Sequence, residues 1–118
     1  MKKLINSFKY AFNGLNYATK TQLNFRIHLF AAVLACLLGW FLHISTNEWL
    51  WVILAITLVM VAELLNTAIE ILTDLVSPGY HEKAGHVKDV SAAAVTLAAI
   101  FALITGLVIF LPKIIALF

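Results

Sequence analysis

Glu63-Leu64-Leu65-Asn66-Thr67-Ala68-Ile69-Glu70-Ile71-Leu72-Thr73-Asp74 is the stretch that decides how this chain is read. It follows fourteen uncharged residues, Trp49 to Ala62. Its acids and its amide fall at 63, 66, 70 and 74, spaced by three, four and four. That spacing gathers them on one face of a helix. Leu, Ile, Ala and Thr fill the rest of each turn. The result is a polar stripe roughly 16 Å long on an otherwise apolar helix. Ionisable groups within such a helix are costly, and by default they mark a functional site.

Composition says what kind of helix this is. The chain has 118 residues, 63% of them hydrophobic and only 12% charged. A soluble domain carries about 25% charge. The apolar residues also come in long runs, as in an integral membrane protein of one small all-α domain, residues 1–118. A net charge of +2 gives no case for nucleic acid. Cys36 is the lone cysteine, so no disulfide framework or cysteine metal site is available. The first twenty residues lack a continuous apolar segment, so no cleavable signal peptide is expected and the later spans must drive insertion.

Working outward from the stripe, its helix is predicted over 49–76, with Ser77-Pro78-Gly79 as the stop. These 28 residues exceed the roughly 20 that cross a bilayer, and the surplus lies at the acidic end. A first span is predicted over 27–44, bracketed by His28 and His43, each read as an interfacial histidine rather than a metal ligand. Ser45 to Glu48 reads as a short turn, and Trp40, Trp49 and Trp51 cluster beside it as an aromatic belt would. Residues 77–89 read as a polar loop. The third span is predicted over 90–111, closed by Pro112. Its Ser91, Ala92, Ala93, Ala94, Ala98 and Ala99 suit close packing on a partner helix. Residues 1–20 read as an amphipathic surface helix, with Leu4, Ile5, Phe8, Ala11, Phe12 and Leu15 at helical spacing among lysines and asparagines.

Lysine and arginine set the orientation. Lys2, Lys3, Lys9, Lys20 and Arg26 precede the first span, and Lys83 and Lys88 lie in the second loop. Only Lys113 lies on the other side. The N-terminus and the 77–89 loop are therefore expected in the cytoplasm, with the stripe at that end of the second span.

Glu63 lies deepest, about 21 Å into its helix. A desolvated carboxylate is a stronger base, and at the membrane interface it can take a proton from a lipid hydroxyl. Glu70 and Asp74 lie nearer water, where carboxylates hold Mg²⁺ against phosphates. Lys88 is placed to meet a phosphate. A base, a metal-binding acid and a lysine together fit phosphoryl transfer, which depends on positioning and charge neutralisation. Two other readings of the same stripe stay open. It can be polar glue between helices, or a relay for protons or ions. No glycine-rich phosphate loop is present, so a nucleotide site must be of another build.

The stripe from Glu63 to Asp74, with Tyr80-His81-Glu82, Lys88-Asp89 and the small-residue helix that follows, resembles the motif of the prokaryotic diacylglycerol kinase family. The likeness runs over nearly the whole chain. Asn24-Phe25-Arg26-Ile27-His28 and Leu65-Asn66-Thr67 look more like the undecaprenol kinase branch than the diacylglycerol kinase of Gram-negative bacteria. The resemblance implies a homotrimer of three-span subunits in the cytoplasmic membrane, with active sites shared between neighbours. It implies transfer of the ATP γ-phosphate to a lipid alcohol, undecaprenol or diacylglycerol, with Mg²⁺ as cofactor. By position, Glu63 is the implied general base and Asn66 lines the reacting centre. Glu70 is implied as a metal ligand, and Gln22 stands where the family usually has the second metal-binding glutamate. Lys3, Tyr10, Tyr80, His81, Glu82, Lys88 and Asp89 match the nucleotide site. Gln22 offers a carbonyl oxygen but no charge, which implies weaker metal binding or a slower rate. The alternatives carried beside this are a small transport or ion-path protein and a non-catalytic relative that binds lipid or nucleotide.

Overall fold

Gln22 is the only residue between the first two helices. In the computed structural model, which describes residues 1–118, it is extended (φ −111°, ψ 110°) and turns α1 (Lys2–Thr21) into α2 (Leu23–Phe41). Arg26 holds the corner. Its guanidinium donates to the carbonyls of Thr19 at 3.0 Å and Lys20 at 3.1 Å, two of the acceptors that a helix end leaves without a partner. α1 itself is exposed along its length, with only Ala18 buried. α2 begins before the expected residue 27 and ends before 44. Asn24 and Arg26, outside the expected span, form the first turn of α2.

The far end of α2 closes around His43, whose φ is 52°. The His43 N–H bonds the Trp40 carbonyl and the Ile44 N–H bonds the Gly39 carbonyl, at 3.3 and 3.2 Å. That closure needs a left-handed residue after the helix. Gly39 is fixed by packing instead, because a Cβ there would stand 2.9 Å from the Trp49 ring and 3.0 Å from Ile44 Cδ1.

Ser45 to Glu48 proves to be a helix start rather than a free turn. Ser45 Oγ accepts from the Glu48 N–H at 3.1 Å, and Glu48 Oε1 accepts from the Ser45 N–H at 2.9 Å. This reciprocal cap opens α3 (Thr46–Val76). Glu48 also reaches Lys113 at 3.4 Å, tying the start of α3 to the end of the last helix.

After Ser77-Pro78-Gly79-Tyr80, His81 caps α4 (Glu82–Ile115) by accepting the Lys83 N–H on Nδ1 at 3.1 Å. The expected 77–89 loop is thus a short turn, and Glu82 to Asp89 are helical. Polarity alone reads as loop, but the His81 cap starts the helix, and Glu82, Lys83, Ala84 and Lys88 favour it despite Gly85. Pro112 does not close the helix either, since α4 runs on to Ile115. A proline so near the end removes one bond and leaves only the last turn beyond it. At 34 residues α4 is about 51 Å long, against roughly 30 Å of hydrocarbon.

Three of the four helices are long and apolar enough to cross a membrane. α3 packs along α4 over the greatest length and along α2 over less. Of the small residues expected at a helix contact, Ser91 is buried and Ala98 and Ala99 half-buried, while Ala92, Ala93 and Ala94 are exposed. Only 12 of 118 residues are buried, so the chain has almost no interior of its own and its apolar surface suits hydrocarbon. What interior exists runs along α3, where Ala55 and Val59 link two ends. Ile44, Val52, Ile109 and Phe110 pack together by the α2–α3 turn. Phe25, Glu63, Thr67 and Ser91 are buried toward the other end, and there the polar stripe lies.

Candidate active site

Glu63 is 2% exposed. Its position on α3 faces both α2 and α4, which is why a residue amid a membrane-length apolar helix loses nearly all contact with its surroundings. Oε1 of Glu63 is buried and has no hydrogen-bond partner. Buried polar atoms are seldom left this way, and one in a cleft needs an explanation. His28 of α2 brings Nε2 to 3.3 Å from that oxygen, within reach of a bond but not aligned for one.

Asn66, one turn on, is fixed from two sides. Ser91 of α4 donates its hydroxyl to Asn66 Oδ1 at 2.7 Å, and Asn66 Nδ2 donates to Glu70 Oε1 at 3.0 Å. The amide is thereby oriented, oxygen toward the serine and nitrogen toward the acid. Glu63, Asn66 and Glu70 line one cleft of about 440 Å³ between α3 and α4, with Asn24 and His28 from α2 and with Ala92, Val95, Thr96 and Ala99 among the α4 residues. Thr67 stays out of this network, since its hydroxyl returns to the Glu63 carbonyl at 2.9 Å.

Farther along the stripe, Asp74 pairs with Lys88 at 2.5 Å. The pair lies in the polar first turns of α4, ahead of its apolar run. The hydrogen bond to Asp74 holds the Lys88 ammonium above the usual lysine value. This pairing leaves Lys88 charged and close to Glu70.

The remaining sequence candidates are not brought into the cleft of one subunit. Gln22 sits at the α1–α2 corner with its amide nitrogen 3.3 Å from Thr21 Oγ1. Lys3 and Tyr10 are exposed on α1. Tyr80 is 97% exposed. His81 is occupied as the α4 cap, Glu82 stands 3.7 Å from His86 one turn on, and Asp89 is exposed. Two residues that the sequence reading gave no site role line up with the stripe instead. Ser91 reads as a packing residue and His28 as an interfacial one. Their signal is cross-helix distance, which spacing along one helix does not carry.

No group of three or more His, Cys, Asp or Glu side chains converges on a metal position. The cleft does contain hard oxygen donors. One oxygen of Glu70 is bonded to Asn66 and the other faces no partner. That is the donor type Mg²⁺ uses when one or two carboxylates and substrate phosphates complete its shell.

The family model for prokaryotic diacylglycerol kinase matches residues 9–110. A diacylglycerol kinase of Synechocystis is 45% identical over 97% of this chain, which spans 66% of that relative's own length. The undecaprenol kinase of Bacillus subtilis is 37% identical over 96% of this chain and 92% of the relative. The diacylglycerol kinase of Escherichia coli strain K12 is 35% identical over 87% and 84%. The matched region takes in the corner at Gln22, the whole acid stripe and the Asp74–Lys88 pair. A three-span membrane chain with this buried acid cleft, matched over most of its length, belongs to the prokaryotic diacylglycerol kinase family of lipid kinases.

Proposed function

We propose that this chain transfers the γ-phosphate of ATP to the hydroxyl of a membrane lipid alcohol, undecaprenol or diacylglycerol, at the cytoplasmic face of the inner membrane. The observation that carries this is Glu63, buried in an oxygen-lined cleft with one carboxylate oxygen free. A desolvated acid without a partner is an available proton acceptor. Glu63 takes the proton of the lipid O–H. The alkoxide oxygen bonds to the γ-phosphorus, and the bond from that phosphorus to the bridging oxygen breaks, its electron pair leaving with ADP. Asn66, held by Ser91, orients the reacting groups. Lys88 offers its charge to the phosphates from the rim. Glu70 would hold Mg²⁺, which when bound neutralises phosphate charge. Gln22, at its corner, contributes no charge to that set.

The small interior supports a homotrimer, in which neighbours cover the apolar helix faces and α1 lies as an amphipathic helix on the membrane surface. Lys3, Tyr10, Tyr80, His81, Glu82 and Asp89 lie outside the cleft of a single subunit, which favours a nucleotide site shared with a neighbour. The lysine and arginine distribution favours a cytoplasmic N-terminus.

The test gives purified protein labelled ATP with diacylglycerol and undecaprenol side by side. One of the two lipids is expected to gain label, and Glu63→Gln is expected to lower kcat by about 10²–10⁴, the usual contribution of a general base. A Glu63→Gln protein that turns over normally refutes the base assignment. A wild-type protein that labels neither lipid refutes the reaction.

A further inference from the structure

We propose that His28 is the positioning residue of the base, holding the Glu63 carboxylate at the point where the lipid hydroxyl arrives. The proposal rests on the kinase reading above. His28 comes from a different helix, α2, and no other side chain stands within bonding reach of Glu63 Oε1. The Glu63 side chain is 3% exposed and that of His28 26%, so the contact is sheltered on one side and open on the other.

The second observation is independent of the contact. Beyond the oxygen-lined cleft lies an apolar cavity of about 410 Å³ between α2, α3 and α4, and fifteen of its eighteen lining residues are hydrophobic. The two hollows share His28, Ala99 and Leu103. Of these three, only His28 has a polar side chain, so it stands at the boundary between a hydrocarbon-lined space and the acid. An alcohol at the end of an apolar chain lying in that cavity must pass the imidazole to reach Glu63.

In this role Nε2–H donates to the carboxylate after a small rotation of the ring. It fixes the rotamer of Glu63 through Oε1 and leaves the other carboxylate oxygen to accept the lipid proton. The charged and titratable groups facing His28 are then few. α3 presents Glu63 and, farther along the cleft, Glu70. α4 presents none among the cleft residues, and α2 adds the neutral Asn24.

The experiment compares wild type, His28→Ala, His28→Gln and Glu63→Gln in lipid micelles, with kcat, the ATP KM and the pH profile of kcat measured for each. His28→Ala is expected to lower kcat about tenfold, leave the ATP KM within about twofold and displace the acid limb of the profile. His28→Gln, which restores a neutral donor, is expected to recover most of kcat. Nitrogen NMR of labelled histidine supplies a readout without turnover. The His28 Nε2 resonance is expected to shift in Glu63→Gln, because that nitrogen stands 3.3 Å from the carboxylate. An unchanged resonance overturns the contact whatever the activity. With wild type active and Glu63→Gln inactive, a His28→Ala protein matching wild type in kcat and pH profile overturns this proposal and leaves the kinase reading standing. An active Glu63→Gln overturns the base assignment and the positioning role with it.

Discussion

Replacing Ser91 with alanine tests whether the Asn66 amide works as an oriented group. Ser91 Oγ lies 2.7 Å from Asn66 Oδ1 and is the only donor that atom has. Removing it leaves a carbonyl oxygen unpaired in a half-buried place. An unpaired buried acceptor costs about 1–3 kcal/mol, and the cleft admits water that recovers part of this. A value near 1.4 kcal/mol corresponds to about tenfold. The loss is felt in turnover, because Asn66 is then free to reverse its amide and break its 3.0 Å bond to Glu70. The assay is lipid phosphorylation under saturating ATP. Ser91→Ala is expected to reduce kcat about tenfold in wild type and to add almost nothing to Asn66→Ala, because residues of one network are not additive. Equal losses in both backgrounds refute the idea that Ser91 acts through Asn66.

Three further outcomes are expected. Gln22→Glu places a carboxylate at the α1–α2 corner, and it should lower the Mg²⁺ concentration needed for half-maximal activity. An unchanged Mg²⁺ titration would remove residue 22 from the metal set. Gly39→Ala drives a Cβ to 2.9 Å from the Trp49 ring and should destabilise the α2–α3 end by about 1–3 kcal/mol, read as a lower melting temperature in detergent. Glu48 precedes the apolar run at Trp49, and the Ser45 N–H, with Lys113 nearby, holds its carboxyl below its ordinary value of 4.5. Its contribution is present above that value and lost as pH falls through the lower one in the fold. The acid melting profile of Glu48→Gln should therefore flatten relative to wild type, and superimposable profiles would exclude the cap as an acid-sensitive point.

The sequence spoke most clearly where a pattern is carried by one helix. The three- and four-residue spacing of Glu63, Asn66 and Glu70 is a property of a single segment, and the structure lines all three along one cleft. The three long apolar runs are equally local, because hydrocarbon demands length and composition before any tertiary contact. Helix ends were less legible. Ser45, Glu48 and His81 are polar residues that signal a turn by composition but work as caps. Least legible were Ser91 and His28. Their meaning depends on how α4 and α2 are rotated against α3, and neither rotation is written in the spacing along either helix. His28 lies near the start of a span, where a histidine ordinarily faces headgroups. Asp74 and Lys88, fourteen residues apart, meet because the turn between α3 and α4 is short.

The corner at Gln22 has a mechanical consequence. One extended residue joins two helices, and Arg26 clamps the last carbonyls of α1 from the first turns of α2. Such a joint has no slack. The same first turns of α2 carry His28, 3.3 Å from Glu63, so the corner and the deepest acid meet through one helix start.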